Sequence, residues 1–375
     1  MATKNITQLK KVTISGFKSI SSNKPLTIEL GNINVLLGAN GSGKSNIISF
    51  FKMLNFMMSG GFQLFVEKAG TSQVFLNYGS KHTSIIKGEM CFESDTDIDQ
   101  YKFELTNATP DRLIIKSEEV LFGKKVGGRI PQIIPLESDF KESALTHRTT
   151  NKTIPIIRKI LTECKVYQFH DSSTESPVRQ SSRVEFSDYL QAEGNNLASF
   201  IYSLKKNYPN NYERIVSYIR QIVPQFNDFY LEPNERGYVM LKWTDNSPND
   251  YILLPEQFSD GTIRFIALAT LLLQPQKTMP NVIIIDEPEL GLHPFAITQL
   301  AEMIKEASIN TQVIIATQSP GLVDEFDANQ ITIIERDEES GSTVANKLNE
   351  KELVDWLENY SLSELWDKNV LGGRP

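Results

Sequence analysis

The chain has 375 residues, which is enough for one large α/β domain with insertions or for two domains. Its apolar share of 40% and its charged share of 22% are those of an ordinary globular protein. The net charge of −8 argues against a surface coated with basic residues for nucleic acid, although it leaves room for a local basic groove. Two distant cysteines, no signal-peptide core and no membrane-spanning apolar run favour a cytoplasmic protein without a membrane partner.

The first part of the chain predicts strands that lead into a glycine-rich loop. Residues 11–14 alternate polar and apolar side chains, as a half-buried strand does, and residues 26–30 predict a second strand. Residues 33–37 are an apolar strand, residues 38–45 fit Gly-x-x-x-x-Gly-Lys-Ser/Thr at every fixed position, and residues 46–54 predict a helix. Strand, glycine loop and helix in this order predict a P-loop.

The P-loop sequence supplies groups that bind phosphate. Its glycines let successive backbone N–H groups curl round a phosphate chain, and the helix N-terminus adds its positive end. We expect Lys44 to reach the β- and γ-phosphates of ATP and Ser45 to bind Mg²⁺. Lys18 is the other basic residue placed to touch the nucleotide or a partner, although a solvated lysine fits the sequence equally well. The candidate nucleotide-binding residues are Lys18, Gly38, Asn40, Gly41, Ser42, Gly43, Lys44 and Ser45.

The middle of the chain predicts an appended antiparallel sheet and then helices. Helical spacing covers residues 62–76, and turn residues separate predicted strands at 84–92, 101–106, 112–116 and 120–122. The basic residues at 123–129 fit a solvated hairpin tip better than a phosphate contact. Further on we expect a helix at 154–164, a strand at 165–169, a helical pair within 195–223 divided at Pro209, and strands at 226–230 and 237–243.

The last third predicts the second half of a nucleotide-binding core. Its predicted elements are strands at 281–285, 311–316 and 330–334 and helices at 294–307 and 350–359. The fully apolar strand 281–285 is typical of a central parallel strand, and it ends at Asp286 and Glu287. This is a Walker B pattern, in which Asp286 would bind Mg²⁺ through water and Glu287 would act as general base on the attacking water.

Two more polar segments accompany the Walker B pattern. Residues 317–320 follow the next apolar strand, at the sheet edge where ligands bind in open α/β folds, so Gln318 is a candidate sensor of the γ-phosphate. Helix capping by the neighbouring hydroxyl residues is compatible with that role. Ser259, Asp260 and Gly261 open an apolar helix ahead of Walker B. By itself this sequence indicates only an ordinary helix N-cap. Its position shortly before the Walker B strand is what makes it a candidate functional segment.

Together these motifs resemble the ATP-binding-cassette (ABC) ATPase superfamily in its RecF- and SMC-like branch, and more narrowly stand-alone bacterial AAA-family or RecF-like ATPases. The resemblance is carried by residues 16–20, the P-loop, Gln168 as a candidate metal-binding Q-loop residue, Ser259-Asp260-Gly261 as the signature, and residues 286–288. It implies an α/β, ABC-type P-loop ATPase core with a mixed sheet, an antiparallel β insertion and a short helical subdomain. Since strands and a helical pair stand where SMC proteins place long arms, no coiled coil is expected.

The expected organisation has four parts. Residues 1–80 would form the N-terminal part of the nucleotide-binding core, and residues 81–165 the antiparallel β-rich part. Residues 166–245 would hold the Q-loop and the helical subdomain. Residues 246–375 would hold the signature, Walker B and the C-terminal part of the core.

The resemblance also implies a mechanism. Two copies would close head to tail round two ATP molecules, and Ser259 and the backbone of Gly261 would touch the γ-phosphate held by Lys44 of the other copy. Asp260 stands where transporters usually have glycine, so its carboxylate would either point away from the phosphate or pair with a cation, for which Arg264 is the candidate. Gln318 stands where many relatives have histidine and cannot take a proton, so slow turnover is expected.

Three functions fit these motifs. The first is a dimeric switch ATPase that controls a separately encoded effector, a candidate nuclease, in bacterial antiphage defence, where the resemblance places such proteins. The second is a RecF-like ATPase that binds DNA for repair or replication, and the third and weakest is a transporter motor. DNA binding would be favoured by a basic stripe of Lys10, Lys11, Lys124, Lys125, Arg129, Arg179 and Arg183.

Overall fold

The computed structural model describes residues 7–109, 111–125, 132–137, 140–147, 151, 153–171, 173, 175–249 and 251–373. The chain divides into two compact units. The P-loop unit is Met1–Lys165 with Asp327–Pro375, and the Walker B unit is Val166–Phe326. Among the described residues, no helix is both long enough and apolar enough to cross a membrane.

The elements of the described residues follow in chain order. The strands are β1 (Gln8–Ser15), β2 (Leu26–Glu29), β3 (Ile33–Leu37), β4 (Ile85–Glu93), β5 (Asp97–Ala108), β6 (Arg112–Lys124), β7 (Gln132–Leu136), β8 (Cys164–Tyr167), β9 (Ser182–Arg183), β10 (Phe226–Tyr230), β11 (Tyr238–Val239), β12 (Lys242–Asp245), β13 (Ile252–Leu253), β14 (Val282–Asp286), β15 (Gln312–Thr317), β16 (Ile331–Arg336) and β17 (Thr343–Lys347). The α-helices are α1 (Lys44–Met58), α2 (Phe62–Lys68), α3 (Ile154–Thr162), α4 (Leu197–Asn207), α5 (Pro209–Ile222), α6 (Asp260–Leu272), α7 (Pro294–Ala307), α8 (Pro320–Val323), α9 (Glu350–Leu357) and α10 (Leu362–Asp367).

The P-loop unit contains an antiparallel sheet in the order β2-β1-β4-β5-β6-β7. Side chains along β4 alternate between buried and partly exposed positions, as expected for a sheet with one face on a core. The rings of Phe50 in α1 and Phe103 in β5 stack 6.1 Å apart on that face. The sheet therefore packs against the helix that follows the P-loop.

The two strands predicted at 112–116 and 120–122 are wrong, because both belong to the single strand β6. The polar residues between them, 117–119, look in the sequence like a turn between two strands. In the structure Glu118 is 3% exposed. Its carboxylate accepts hydrogen bonds from the Tyr101 hydroxyl, the Ser143 hydroxyl (2.6 Å) and the Ala144 amide (2.7 Å). These partners let a charged residue lie inside a strand.

A second group of strands in the P-loop unit carries the P-loop itself. All five residues of β3 are buried. β16 runs parallel to β3, with Ile333 opposite Leu37, and β17 pairs antiparallel with β16. The sheet is therefore mixed, as the resemblance implies, and β17 is an edge hairpin strand that the sequence did not predict.

The Walker B unit is built round the parallel pair β14 and β15, with Asp286 opposite Ala316. Both strands are fully buried, as their apolar sequences predict. The helical pair is confirmed as α4 and α5, with Pro209 as the first residue of α5. The single strand predicted at 237–243 is wrong, because β11 pairs with β9 whereas β12 pairs with β10 and β13.

Candidate nucleotide-binding site

The P-loop connects the end of β3 to the start of α1. Gly41 and Gly43 have φ of 80° and 114°, a region that glycine adopts at little cost. A Cβ atom on Gly43 would lie 2.1 Å from Thr343 Oγ1, and one on Gly38 would lie 2.2 Å from the carbonyl oxygen of Ile334. The glycines are therefore required by the close approach of β16 and β17 as well as by the turn.

The groups inside the P-loop fit a phosphate ligand. Lys44 is 5% exposed, and its Nζ donates to the carbonyls of Gly38 (2.5 Å) and Ala39 (3.0 Å). Ser42 Oγ is buried and has no hydrogen-bond partner among the described residues. Ser45 is exposed in the first turn of α1. An ammonium group, an unpaired buried hydroxyl and a helix N-terminus together suit an anion.

Three residues outside the motif form hydrogen bonds with the backbone of the P-loop, and the sequence did not identify them. The Thr343 hydroxyl donates to the Ser42 carbonyl (2.9 Å), and Arg336 Nε donates to the Gly41 carbonyl (3.1 Å). The Ala39 amide donates to the carbonyl of Gly373 (3.1 Å). In a trans peptide the N–H and C=O point in opposite directions. The hydrogen bond from Thr343 to the Ser42 carbonyl therefore makes the Gly43 amide point away from Thr343.

Lys18 lies against α1. Its Nζ donates to Ser49 Oγ at 2.7 Å and lies 5.7 Å from the centre of the Phe17 ring. Burial, and then the charge of Lys52, lowers the pKa of Lys18. Its partner is thus one helical turn beyond Ser45, and a contact of Lys18 with nucleotide stays a prediction.

The Walker B unit brings together four of the predicted residues. Asp286 at the end of β14 is 9% exposed, and the Gln168 amide donates to its Oδ2 at 3.0 Å. Gln318 Nε2 donates to Glu287 Oε1 at 3.3 Å. Glu287 has a φ of 42°, which is unusual for a residue with a side chain and is common at functional sites.

A buried pair, Glu289 and Thr317, lies beside these residues and was not predicted from the sequence. Glu289 is 9% exposed, and the Thr317 hydroxyl donates to its Oε1 at 2.5 Å. Burial raises the pKa of Glu289, and the nearby charge of Glu287 adds to that effect. The available signal was a second glutamate three positions after Asp286.

The signature residues open α6. Ser259 is the N-cap, and its Oγ accepts from the Thr262 amide at 3.2 Å. Ser259 and Asp260 are exposed. A Cβ on Gly261 would lie 2.5 Å from the carbonyl oxygen of Gly291, so this position needs glycine for close packing on the loop after Walker B.

Asp260 forms its ion pair with a residue other than the candidate Arg264. Asp260 pairs with Arg179 at 3.0 Å. Arg264 is 7% exposed, because α6 is buried on all sides from Ile263 to Leu272. It donates to the carbonyls of Phe169 (2.8 Å), His170 (2.9 Å) and Leu290. Through Arg264, the signature helix is tied to the loop after Gln168 and to the loop after Walker B.

The residues of the basic stripe that would favour DNA binding differ in exposure and in their partners. Arg179 is 4% exposed, which removes it from any surface. Lys125 pairs with Glu93 at 2.8 Å, and Lys124 pairs with Asp97. Arg183 lies 3.6 Å from Glu185, Lys10 donates to Gln8 at 2.6 Å, and Lys11 is exposed. Arg129 lies outside the described residues.

The fold is similar to that of Smc head domains. It superposes with a TM-score of 0.62 on a crystal structure of an Smc head bound to the C-winged-helix domain of ScpA, at 17% identity over 93% of this chain and 99% of that chain. It superposes at 0.57 on an Smc head domain with an extended coiled coil, bound to the C-terminal domain of ScpA derived from Pyrococcus furiosus. That comparison has 16% identity over 94% of this chain and 99% of that chain.

Residues 33–324 match the family described as "AAA domain, putative AbiEii toxin, Type IV TA system", and the chain belongs to that family. No curated protein sequence matches the chain. The predicted resemblance and the ABC-type P-loop ATPase fold are confirmed by these comparisons. Within the described residues no coiled coil is present.

Proposed function

We propose that the chain hydrolyses ATP with Mg²⁺ and that ATP binding closes a homodimer which controls a separately encoded effector, a candidate nuclease, in bacterial antiphage defence. The observation that carries the proposal is the meeting of Gln168, Asp286, Glu287 and Gln318 in the Walker B unit. The family description names a toxin of a toxin–antitoxin system, which supports a defence setting.

Each residue would have a stated part in hydrolysis. Lys44 and the P-loop amides would hold the phosphates, and Ser45, Asp286 and Gln168 would hold Mg²⁺, which neutralises phosphate charge when bound. Glu287 would take the proton of the attacking water. Because Gln318 donates to Glu287, it would keep the carboxylate turned toward that water.

The exposure of the signature residues supports the proposal that a second copy of the chain binds there. Ser259 and Asp260 are exposed at the start of α6. Leu290, whose carbonyl binds Arg264, is 44% exposed, and Phe295 in the first turn of α7 is 50% exposed. Apolar side chains beside an exposed helix N-terminus suit a surface that another protein covers and that faces a phosphate. We infer that this surface would meet the P-loop of the other copy.

A mixing experiment tests the shared site. In a head-to-tail dimer, Lys44→Ala and Ser259→Arg each spoil both sites, but a mixed dimer keeps one site with an intact lysine and an intact serine. We expect each variant alone to be inactive and an equal mixture to recover about one quarter of the parent ATPase rate. Ser181→Arg, at another exposed serine of the same unit, should leave the rate unchanged. A mixture as inactive as its components would overturn the shared site.

The role in controlling an effector needs its own test. Glu287→Gln and Lys44→Ala would be tagged and recovered from cells that carry the neighbouring genes, with ATP present throughout. A nuclease retained by Glu287→Gln and lost from Lys44→Ala supports the proposal. Equal retention by both variants would show that binding does not depend on the ATP state. We do not propose direct DNA binding, because Arg179 is buried and Lys124 and Lys125 are paired with acids.

A further inference from the structure

We propose that Glu289 is a positioning residue for ATP hydrolysis, which fastens the turn around Gln318 so that the Gln318 side chain reaches Glu287. This inference rests on the proposed function, because hydrolysis is the reaction that it affects. Glu289 belongs to none of the motifs that the sequence analysis assigned a role.

The placement of Glu289 follows from two adjacent strands. β14 and β15 are parallel neighbours, with Asp286 opposite Ala316, so the residues after both strands emerge at one edge. Glu289 follows β14 by three positions, and Thr317 is the last residue of β15. One carboxyl group can therefore contact the turn that carries Gln318.

The carboxylate of Glu289 holds this turn at Thr317, the residue that precedes Gln318. Thr317 is fully buried, and its hydroxyl donates to Glu289 Oε1 at 2.5 Å. The neighbouring Gln318 backbone amide lowers the pKa of this carboxyl group, against the larger effect of burial. The Thr317 hydroxyl in turn accepts from the Ser319 amide at 2.9 Å. The backbone of Gln318 is thus fixed by groups that do not touch its side chain.

The turn that carries Gln318 helps to hold Glu287 in place. The Gln318 side chain donates to Glu287 Oε1 at 3.3 Å, and the Glu287 backbone amide donates to the Ala316 carbonyl at 2.8 Å. Glu287 is held in a left-handed conformation with a φ of 42°, which persists only where surrounding groups enforce it. Loosening the Gln318 turn would therefore loosen the carboxylate of Glu287.

Packing alone does not explain a carboxyl group at this position. Glu289 Oε2 is buried and has no hydrogen-bond partner among the described residues, an arrangement that costs stability. An apolar side chain would fill the same space without that cost. What the carboxyl adds is an acceptor for the Thr317 hydroxyl, a role that an isosteric amide oxygen would also fill.

The test compares two pairs of variants in the full chain. Glu289→Ala and Thr317→Val remove the contact, whereas Glu289→Gln keeps an acceptor oxygen and Thr317→Ser keeps the hydroxyl. We expect the first pair to lower kcat at least about tenfold, with the affinity for a fluorescent ATP analogue within about twofold of the parent. We expect the conservative pair to restore most of kcat. Thermal melting checks that each variant is folded.

An exposed pair of the same chemistry serves as the matched control. In the same unit Thr298 donates to Glu325 at 2.7 Å, and Glu325→Ala and Thr298→Val should leave kcat unchanged.

Three results would overturn the inference. These are a parent-like kcat in Glu289→Ala, losses of kcat and ATP affinity in equal proportion, or no recovery in Thr317→Ser. If Glu289→Ala does not fold, the comparison of Thr317→Val with Thr317→Ser tests the inference by itself. A parent protein with no ATPase activity would overturn the proposed function, and with it this inference, and that result is seen before any variant is made.

Discussion

The side-chain amide of Gln168 donates a hydrogen bond to Asp286 Oδ2 across 3.0 Å. His170 Nε2 lies 2.9 Å from the carbonyl oxygen of the same aspartate. The segment after β8 is therefore attached to the end of β14 by both a side chain and a backbone contact. This attachment places an amide next to the carboxylate that we expect to bind Mg²⁺.

Replacing Gln168 should weaken the use of Mg²⁺. Gln168→Leu removes the amide that orients the Asp286 carboxylate, so we expect the Mg²⁺ concentration for half-maximal ATPase activity to rise about tenfold. The measurement is an Mg²⁺ titration at saturating ATP. Gln276→Leu, at an exposed glutamine of the same unit, is the control. An unchanged titration curve would show that Gln168 has no part in metal binding.

Glu287→Gln should separate ATP binding from ATP hydrolysis. The amide cannot accept the proton of water, whereas binding depends on Lys44 and the metal, so we expect hydrolysis to fall at least about a hundredfold with ATP affinity retained. With ATP and Mg²⁺, this variant should elute as a stable dimer in size-exclusion chromatography with light scattering. Glu235→Gln, at an exposed site, should behave as the parent. Hydrolysis at the parent rate would exclude Glu287 as the base.

Thr343 should affect ATP affinity from outside the P-loop. Thr343→Val keeps the shape of the side chain but removes the donor to the Ser42 carbonyl, so the peptide between Ser42 and Gly43 is free to rotate. We expect the affinity for a fluorescent ATP analogue to fall about fivefold, which corresponds to roughly 1 kcal/mol. Thr343→Ser should retain the parent affinity. Equal affinities for the valine variant and the parent would contradict the support that we assign to Thr343.

The stability of the P-loop unit should depend on pH through Asp99. Burial, and then the charge of Asp97, raises the pKa of the Asp99 carboxyl in the folded state to about 6 from 3.8. The folded chain therefore holds this proton more tightly than the unfolded chain, so stability falls as pH rises between about 4 and 6. Asp99→Asn removes this dependence and should gain about 1 kcal/mol at pH 7 and nothing at pH 3.

Urea unfolding of parent and variant at both pH values measures the effect of Asp99. Asp355→Asn, in the exposed part of α9, is the control. A gain for Asp99→Asn that is the same at pH 3 and pH 7 would show that titration of Asp99 is not its cause.

Elements with strong local signals were predictable from the sequence. The bounds of β3 and α7 agree with the prediction, since β3 is an apolar run ended by glycine and α7 begins at a proline that suits a first helical turn. Asp286, Glu287 and Gln318 were candidates because each comes at or just after the end of a predicted apolar strand, whereas Gln168 was a candidate only through the family resemblance.

Contacts between residues distant in sequence were not predictable. The candidate cation for Asp260 was Arg264 on the same helix, but α6 is buried on all sides around Arg264, and Arg179 from another segment reaches the carboxylate instead. β6 was predicted as two strands because Glu118 is typical of a turn in the sequence. Its burial depends on hydrogen bonds from Tyr101 and Ser143, which are distant in the chain. Thr343, Glu289 and Gly373 carry no motif, and their roles depend on which backbone they approach.

The bond between Ala39 and Gly373 gives this protein an intrinsic optical probe. A Cβ on Gly373 would lie 3.7 Å from the indole nitrogen of Trp366, which is itself 8% exposed. A shift of the P-loop on nucleotide binding would pass through Ala39 to Gly373 and change the surroundings of that indole. Tryptophan emission would then follow nucleotide binding without any label, with Trp366→Phe as the blank that isolates its contribution from Trp243 and Trp356.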